Sequence, residues 1–235
     1  MEDILRNYES VTSQPERIRL LLQFAFGALR DPTNADFVSA TGDLSSHRAL
    51  AKLEARMRAD PEGLQILRDK PRVNSRTWDM DELLTLPERS FGHQYAFYMR
   101  GQGLDPDERP LVKYVGNPEH AYILQRYKET HDMTHRLFGY GISVSEEIAI
   151  KWFEMLQTEL PMNALASFVG PLNLVLFQRD LQQLNQLTQV YLPHVLMNAK
   201  TSKLLMSVYF EKYFETDLDD FRKQLGIIPL KEHKS

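Results

Sequence analysis

Residues 131–147 read HDMTHRLFGYGISVSEE, and their succession of helix formers, glycines and a capping pair decides the fold. His131 and His135 are four apart, which on a helix places both imidazoles on one face a single turn apart, with Asp132 beside them. Gly139, Tyr140 and Gly141 offer two permissive backbone positions that end this helix, and Ser143 with Glu146 forms a capping box that opens another. The pattern predicts an antiparallel helix hairpin. His135 lies about one turn before the loop and Glu147 about one turn after it, so a carboxylate arrives near the height of the imidazoles. Leu124, Tyr127, His131, His135 and Phe138 share one stripe at helical spacing, so the histidines lie on the apolar side of their helix. Polar groups there need partners: a metal ion shared with carboxylates, or the hydrogen bonds of satisfied core histidines. Lys151, four residues after Glu147, is also an ordinary helix-face partner for that carboxylate. Spacing leaves both readings open.

Outward from this stretch the chain reads as helices. Asn117 and Pro118 supply an N-cap and first-turn proline for the helix that ends at Phe138, and a second helix runs from Val144 to about Leu160 before Pro161. Upstream, Ser13, Pro15 and Glu16 open the apolar helix ERIRLLLQFAFGALR, too short and too charged to span a membrane. SSHRALAKLEARMRAD and DPEGLQILRDK follow, the latter with Asp60 as N-cap and Pro61 at the first helical position. Short helices are predicted over Asp81 to Leu86 and Glu88 to Arg100, and Leu104 to Gly116 has the composition of a surface loop. Downstream, helical patterns cover Leu181 to Asn198, interrupted by Pro193, then Thr201 to Phe214 and Thr216 to Gly226. No strand alternation, internal repeat or Gly-rich phosphate loop is present. The expected fold class is all-α, a single helical domain over residues 1–235 with the metal-like residues on the hairpin.

From Leu160 to Gln178 nineteen consecutive residues carry no charge. Two prolines, two asparagines, a serine and a glycine make this a poor membrane span. A buried helix kinked at Gly170-Pro171 accounts for it; so does the wall of a cavity for a long apolar ligand, or a surface touching a bilayer. In the cavity reading Leu165, Ala166, Val169, Gly170 and Leu174 line the lipid site.

The whole chain of 235 residues is 43% hydrophobic and 26% charged, ordinary values for a globular protein. A net charge of -4 without a dense Lys/Arg run excludes a nucleic-acid binder, so no nucleic acid is expected as a partner. Zero cysteines remove disulfides, thiol nucleophiles and thiolate ligands, leaving His, Asp and Glu to hold any metal. The start MEDILRNYES has no apolar signal region and no Arg/Ser-rich transit character.

These residues resemble the family of the fourth-numbered protein of ubiquinone (coenzyme Q) biosynthesis, whose signature is HDxxH, eleven residues and Glu. Here it falls on His131, Asp132, His135 and Glu147. The resemblance extends through HRALAKLEARMRADPEGLQILRDKPRV, LPERSFGHQY, AYILQRYKETHDMTH and IKWFEMLQTELPM to Gly170-Pro171, covering most of the chain. It implies a helical protein with zinc at the signature, His131, Asp132, His135 and Glu147 being both its ligands and the catalytic residues; iron(II) or magnesium are the alternative metals. It implies binding of a polyprenylated benzoate or other isoprenoid lipid, peripheral contact with a membrane surface, association with other quinone-biosynthesis enzymes, and a homodimer. It also implies a reaction: oxidative decarboxylation at C1 of a 4-hydroxy-3-methoxy-5-polyprenylbenzoate, the carboxylate giving way to a hydroxyl. Eukaryotic members are mitochondrial, on the matrix side of the inner membrane. Because the shared region begins almost at the first residue, the expectation here is a bacterial, cytoplasmic and peripherally bound protein, or a mature form.

Two functions compete. In the enzyme, the metal binds the ring carboxylate and phenolate while the prenyl tail lies along residues 160–178. Zinc has no redox chemistry, whereas a two-histidine, carboxylate site also suits iron(II), which engages dioxygen. In the scaffold, the metal ties the hairpin together and a bound prenyl lipid is presented to partner enzymes. A hydrolase of the zincin kind is disfavoured, because Asp132 is a methylene shorter than the general-base Glu of that helix. Glu129 and Glu146 are the expected outer partners of the metal-bound imidazoles.

Overall fold

Prolines, caps and left-handed glycines divide the chain into α1 (Gln14–Arg30), α2 (Ala35–Ser45), α3 (His47–Ala59), α4 (Pro61–Asp69), α5 (Met80–Leu84), α6 (Phe91–Gln102), α7 (Pro118–Phe138), α8 (Val144–Thr158), α9 (Pro161–Asn173), α10 (Leu181–Gln186), α11 (Leu192–Thr201) and α12 (Leu218–Leu225). These elements come from a computed structural model that describes residues 4, 9–11, 13–30, 35–173 and 180–230. Glu9–Ser10 (β1) pairs in parallel with Tyr114–Val115 (β2), and no other sheet is formed among the described residues. The fold is all-α. The caps do the work the sequence assigns to them: Asp60 accepts from the Glu62 and Gly63 amides, and Asn117 accepts from that of His120. Gly139 stops α7 with a φ of 71°, where a Cβ would be strained, and Ser143 with Glu146 closes both arms of the capping box on α8.

α7 is the axis. Its 21 residues extend about 31 Å at the usual helical rise, long enough to serve two apolar clusters in turn. Ala121, Tyr122 and Leu124 pack with Leu50, Leu53 and Ile66 of α3 and α4. Met133, Leu137 and Phe138 pack with Phe91 and Tyr95 of α6, Ile148 and Phe153 of α8, and Phe210 and Phe221 near the carboxyl end. Most polar residues of α7 are buried as well, and four of them meet partners from other segments of the chain. Gln125 accepts from the Val112 amide at 3.0 Å, Lys128 pairs with Asp43 at 3.2 Å, and Glu129 pairs with Arg72 at 2.6 Å. Arg126 binds Glu211 through two N–H···O contacts of 2.8 and 3.1 Å. This satisfies groups that would otherwise be too costly to bury.

Two departures from the sequence expectation have local causes. Residues 201–214 do not form a helix: α11 stops at Thr201, and two 3-10 turns, Leu205–Ser207 and Phe210–Lys212, follow. Side chains replace the helical ladder there, since Gln157 accepts from the Leu205 amide, Glu62 accepts from the Tyr209 amide and Arg126 donates to the Val208 carbonyl. The break foreseen at Pro193 takes the form of a π-helical turn, Leu187–Tyr191, just before the proline, which has no N–H to offer the ladder. In the uncharged stretch, α9 runs through Gly170-Pro171 to Asn173; residues 174–178 lie outside the described residues.

Candidate metal centre

Three of the four signature residues converge. His131 and His135 stand one turn apart on α7, as their spacing predicts, and Glu147 reaches them from the first turn of α8. Their Nε2 atoms are 3.3 Å apart; Glu147 Oε2 lies 3.1 Å from Nε2 of His135, and Oε1 lies 3.4 Å from Nε2 of His131. Donors held tetrahedrally at about 2.0–2.1 Å from a zinc ion are themselves about 3.3–3.4 Å apart, so these edges fit a small divalent cation. No other group of this kind occurs among the described residues.

The outer nitrogens settle which lone pairs face inward. Nδ1 of His135 lies 2.8 Å from the Gly141 carbonyl, which can only accept, so Nδ1 carries the proton and Nε2 a lone pair. Nδ1 of His131 lies 2.5 Å from Oε1 of Glu154. Burial opposes the charge on Glu154, but His131 and Lys151 bring its pKa down to about 2, so it is an acceptor and His131 likewise turns a lone pair inward. Two imidazole lone pairs and a carboxylate therefore meet, an arrangement that repels unless a cation sits between them. The same need appears without metal: burial disfavours the His131 imidazolium, yet Glu154 and Glu147 raise its pKa above the ordinary value. Glu147 is only partly desolvated, which opposes its charge, and in the metal-free site a proton shared with the imidazoles, together with the Lys151 charge, holds it well below the usual carboxylate range.

Lys151 lies behind this set, 3.0 Å from Glu154 Oε2 and 3.5 Å from Glu147 Oε1. The Tyr127 hydroxyl lies 2.7 Å from both Glu154 Oε2 and Asn163 Oδ1, which links the centre to α9. Side-chain exposure separates the two sides of the site: His131 and His135 are 3% and 1% exposed, whereas Glu147 is 43% exposed and opens to solvent. Replacing Glu154 with Gln is expected to weaken metal affinity about 10- to 100-fold, the usual cost of losing such an outer partner. Competition with a chromophoric chelator measures it, and an unchanged affinity would remove Glu154 from the site.

Asp132 is adjacent but outside the three-residue cluster; Arg109 donates to both of its oxygens, at 2.7 and 3.3 Å. Glu129 and Glu146 do not contact the imidazoles. Glu129 is taken by Arg72 and the Val73 amide, while Glu146 accepts from the Gly141 and Ser143 amides and so fixes the loop whose carbonyl His135 uses. Of the proposed lipid residues, Leu165 is exposed and Ala166 half-buried; the inward positions of α9 are Asn163 and Ser167. The side chains of Val169 and Gly170, and all of Leu174, lie outside the described residues. Sequence reasoning passed over Glu154, although Glu147, Lys151 and Glu154 share one helical stripe (i, i+4, i+7) that could have marked it. Arg109 gave no local signal.

Comparison with known proteins gives one consistent result. The sequence model of the family described as Coenzyme Q (ubiquinone) biosynthesis protein Coq4 matches residues 8–231. The chain is 42% identical over 203 residues to the ubiquinone biosynthesis protein COQ4 homolog, mitochondrial, of Nematostella vectensis, covering 86% of this chain and 96% of that one. Its similarity to the Homo sapiens protein of the same name is 36% over 223 residues, covering 95% and 82% of the two chains. A crystal structure from Nostoc punctiforme, named for ubiquinone biosynthesis, superposes with a TM-score of 0.70 over 92% of this chain and 99% of that one; at 19% identity it speaks for the fold.

Proposed function

Because the chain belongs to the Coq4 family of ubiquinone biosynthesis proteins, we propose that its metal centre carries out oxidative decarboxylation at C1 of a polyprenylated 4-hydroxybenzoate. The reaction breaks the bond between the ring and its carboxylate, forms a ring C–O bond and releases CO2. It removes two electrons from the substrate, so the co-reactant is dioxygen with a two-electron reductant, one oxygen atom entering the ring and the other leaving as water, or another two-electron acceptor with water as the oxygen source. The observation that carries this reading is the asymmetry of the donor set: three protein side chains, two of them deeply buried, and one solvent-facing carboxylate. A structural site is closed by four protein ligands, whereas a catalytic one keeps a position for substrate.

His131, His135 and Glu147 would hold a divalent ion, which would supply Lewis acidity and, as iron(II), redox chemistry toward dioxygen. The protein's own residues do the rest. Glu154 and the Gly141 carbonyl fix both imidazole tautomers, and Lys151 offsets the two glutamates. Around the centre the carboxylates of Asp132, Glu147 and Glu154 face the cations of Lys151 and Arg109. Three negative charges against two leave the protein one short of neutrality, and with a divalent ion bound the balance would be one positive charge, suited to an anionic substrate. No helix among the described residues is long and apolar enough to cross a membrane. Outward apolar residues such as Leu22 and Phe26 on α1 and Leu165 and Phe168 on α9 support contact with a membrane surface, where a polyprenyl substrate resides.

The test uses protein loaded separately with iron(II), zinc and magnesium, and a short-tailed 4-hydroxy-3-prenylbenzoate. With iron(II), a reductant and labelled dioxygen, CO2 release and label in the new hydroxyl are expected under air but not under nitrogen. Absence of turnover with every metal, despite measurable ligand binding, would move the protein to the scaffold reading.

A further inference from the structure

Four arginines are buried among the described residues, and three of them are matched by a carboxylate: Arg72 by Glu129, Arg126 by Glu211 and Arg222 by Asp219. Arg17, on α1, is the exception. It is 9% exposed, and its guanidinium donates to the Val11 carbonyl at 2.7 Å but meets no carboxylate among the described residues. A carbonyl accepts a proton without balancing a charge, and a buried cation with no counter-ion is costly. What this position lacks is an anion from outside the chain.

Arg17 lines a cavity of about 630 Å³ at the amino end of α3, together with His47, Arg48 and Lys52 of that helix. The cavity's one carboxylate, Glu159, is taken by Lys52 at 2.5 Å. Arg17 and Arg48 are left as two positive charges without a counter-charge among the described residues. Two further features have the same sign. Nδ1 of His47 is buried with no hydrogen-bond partner among the described residues, and burial together with the charges of Arg17, His120 and Arg48 lowers the pKa of that imidazole. Ser46 makes no side-chain cap to α3, so the positive end of the helix dipole lies uncapped at the same place. Much of the remaining wall is apolar, with Ile18 and Leu21 from α1, Leu44 from α2 and Pro161 from α9. Ile18 also begins an outward stripe on α1: Ile18, Leu22 and Phe26, spaced by four, are 55%, 67% and 61% exposed. An anionic group carried on an apolar body matches both halves of this arrangement.

We propose that this cavity binds the headgroup phosphate of an anionic phospholipid, with Arg17 and Arg48 as its charge partners and His47 as a further donor, while the stripe through Ile18, Leu22 and Phe26 enters the edge of the bilayer. The choice of a lipid as carrier rests on the membrane contact proposed above; the anion site itself rests on the unmatched guanidinium. Since the whole chain carries a net charge of -4, an anionic surface repels the protein in general, and attraction requires a local site.

The probes are phosphatidylcholine vesicles with and without phosphatidylglycerol, sedimented with the full-length protein, and inorganic phosphate, titrated calorimetrically. The wild type is expected to prefer the vesicles that contain phosphatidylglycerol by at least about tenfold. Arg48→Gln, at an exposed position that does not endanger folding, should lower that preference about fivefold. Arg17→Gln should lower it about 10- to 100-fold, the usual worth of a buried hydrogen bond to a charged group. Both variants should keep the thermal midpoint of the wild type and bind phosphatidylcholine alone within about twofold of it. Arg19→Gln removes an exposed charge of α1 that pairs with Glu16 outside the cavity, and should leave the preference within about twofold. Leu22→Ser should weaken binding to both kinds of vesicle alike. A wild type indifferent to phosphatidylglycerol, a preference untouched by Arg48→Gln, or equal losses in Arg19→Gln and Arg48→Gln would overturn the proposal. So would inorganic phosphate bound through Arg17 by a protein with no vesicle preference, which would make the cavity a site for a soluble anion. The decarboxylation reading fails separately, because its short-tailed substrate is assayed without vesicles. Turnover with no headgroup preference removes only this site, and a headgroup preference without turnover removes only the reaction.

Discussion

His135→Ala is expected to abolish stoichiometric metal binding. The imidazole is 1% exposed and supplies one of only three donor side chains, and its Nε2 is the atom closest to both other donors, at 3.3 Å from His131 and 3.1 Å from Glu147. A four-ligand zinc site is worth roughly 10–16 kcal/mol, or about 2.5–4 kcal/mol per ligand. Losing one donor therefore lowers affinity by about two to three orders of magnitude. The remaining His131 and Glu147 cannot enclose an ion, and Glu147 is the solvent-facing member. Metal analysis after chelation, reloading and gel filtration gives the occupancy. A second readout follows from linkage: saturating metal should raise the thermal midpoint of the wild type and leave that of the variant unchanged. Full occupancy in His135→Ala would end the assignment of this centre.

The largest stability effect is expected at an ion pair outside the candidate metal centre. Arg126 and Glu211 form a two-pronged ion pair with side chains 1% and 5% exposed, and Arg126 also donates to the Val208 carbonyl at 3.0 Å. Removing one member leaves the other charge buried and unpaired, which typically costs about 3–5 kcal/mol. Glu211→Ala should lower the urea midpoint accordingly, because it frees the 3-10 segment Phe210–Lys212 from α7 as well as exposing the guanidinium's need. The double variant Arg126→Met, Glu211→Leu should recover most of the loss, since a well-packed apolar pair removes both desolvation costs together. Below the transition, metal content should be unaffected. A loss under about 1 kcal/mol for Glu211→Ala would show that water reaches the pair and that the burial described for α7 is overstated.

Much of the centre was legible because the interactions that build it are local. The i, i+4 relation puts His131 and His135 on one face of any helix that forms there, and Gly139 and Ser143 mark where that helix stops and the next begins. The partners of the imidazoles were less legible. Glu129 and Glu146 were the near neighbours in sequence, but a helix directs residue 129 toward Arg72 and spends residue 146 on its own cap. Glu154 wins the place beside His131 because it follows Glu147 by seven residues, two turns further along the same face of α8. Residues 201–214 were misread for a related reason. Their apolar composition fits a helix, but Gln157, Glu62 and Arg126 occupy the backbone groups a helix would need.

By itself, then, the sequence determined the helical class, the ends of α7 and α8, the pairing of His131 with His135, and the absence of thiolate ligands. Each of these depends on residues within a turn or two of one another, or on composition alone. The tertiary structure decided which surfaces those helices bury. The stripe through Leu124, Tyr127, His131, His135 and Phe138 suggested one apolar face, yet the opposite face is buried too, because Asp43, Arg72, Arg109 and Glu211 arrive to neutralise Lys128, Glu129, Asp132 and Arg126. Those partners are separated from α7 by loops of arbitrary length, and a charge in a sequence carries no record of which opposite charge will be brought to it. Burial of an ion pair is a property of two distant segments together, so only the folded chain could assign Asp132 to Arg109 and bring His131, His135 and Glu147 together without it.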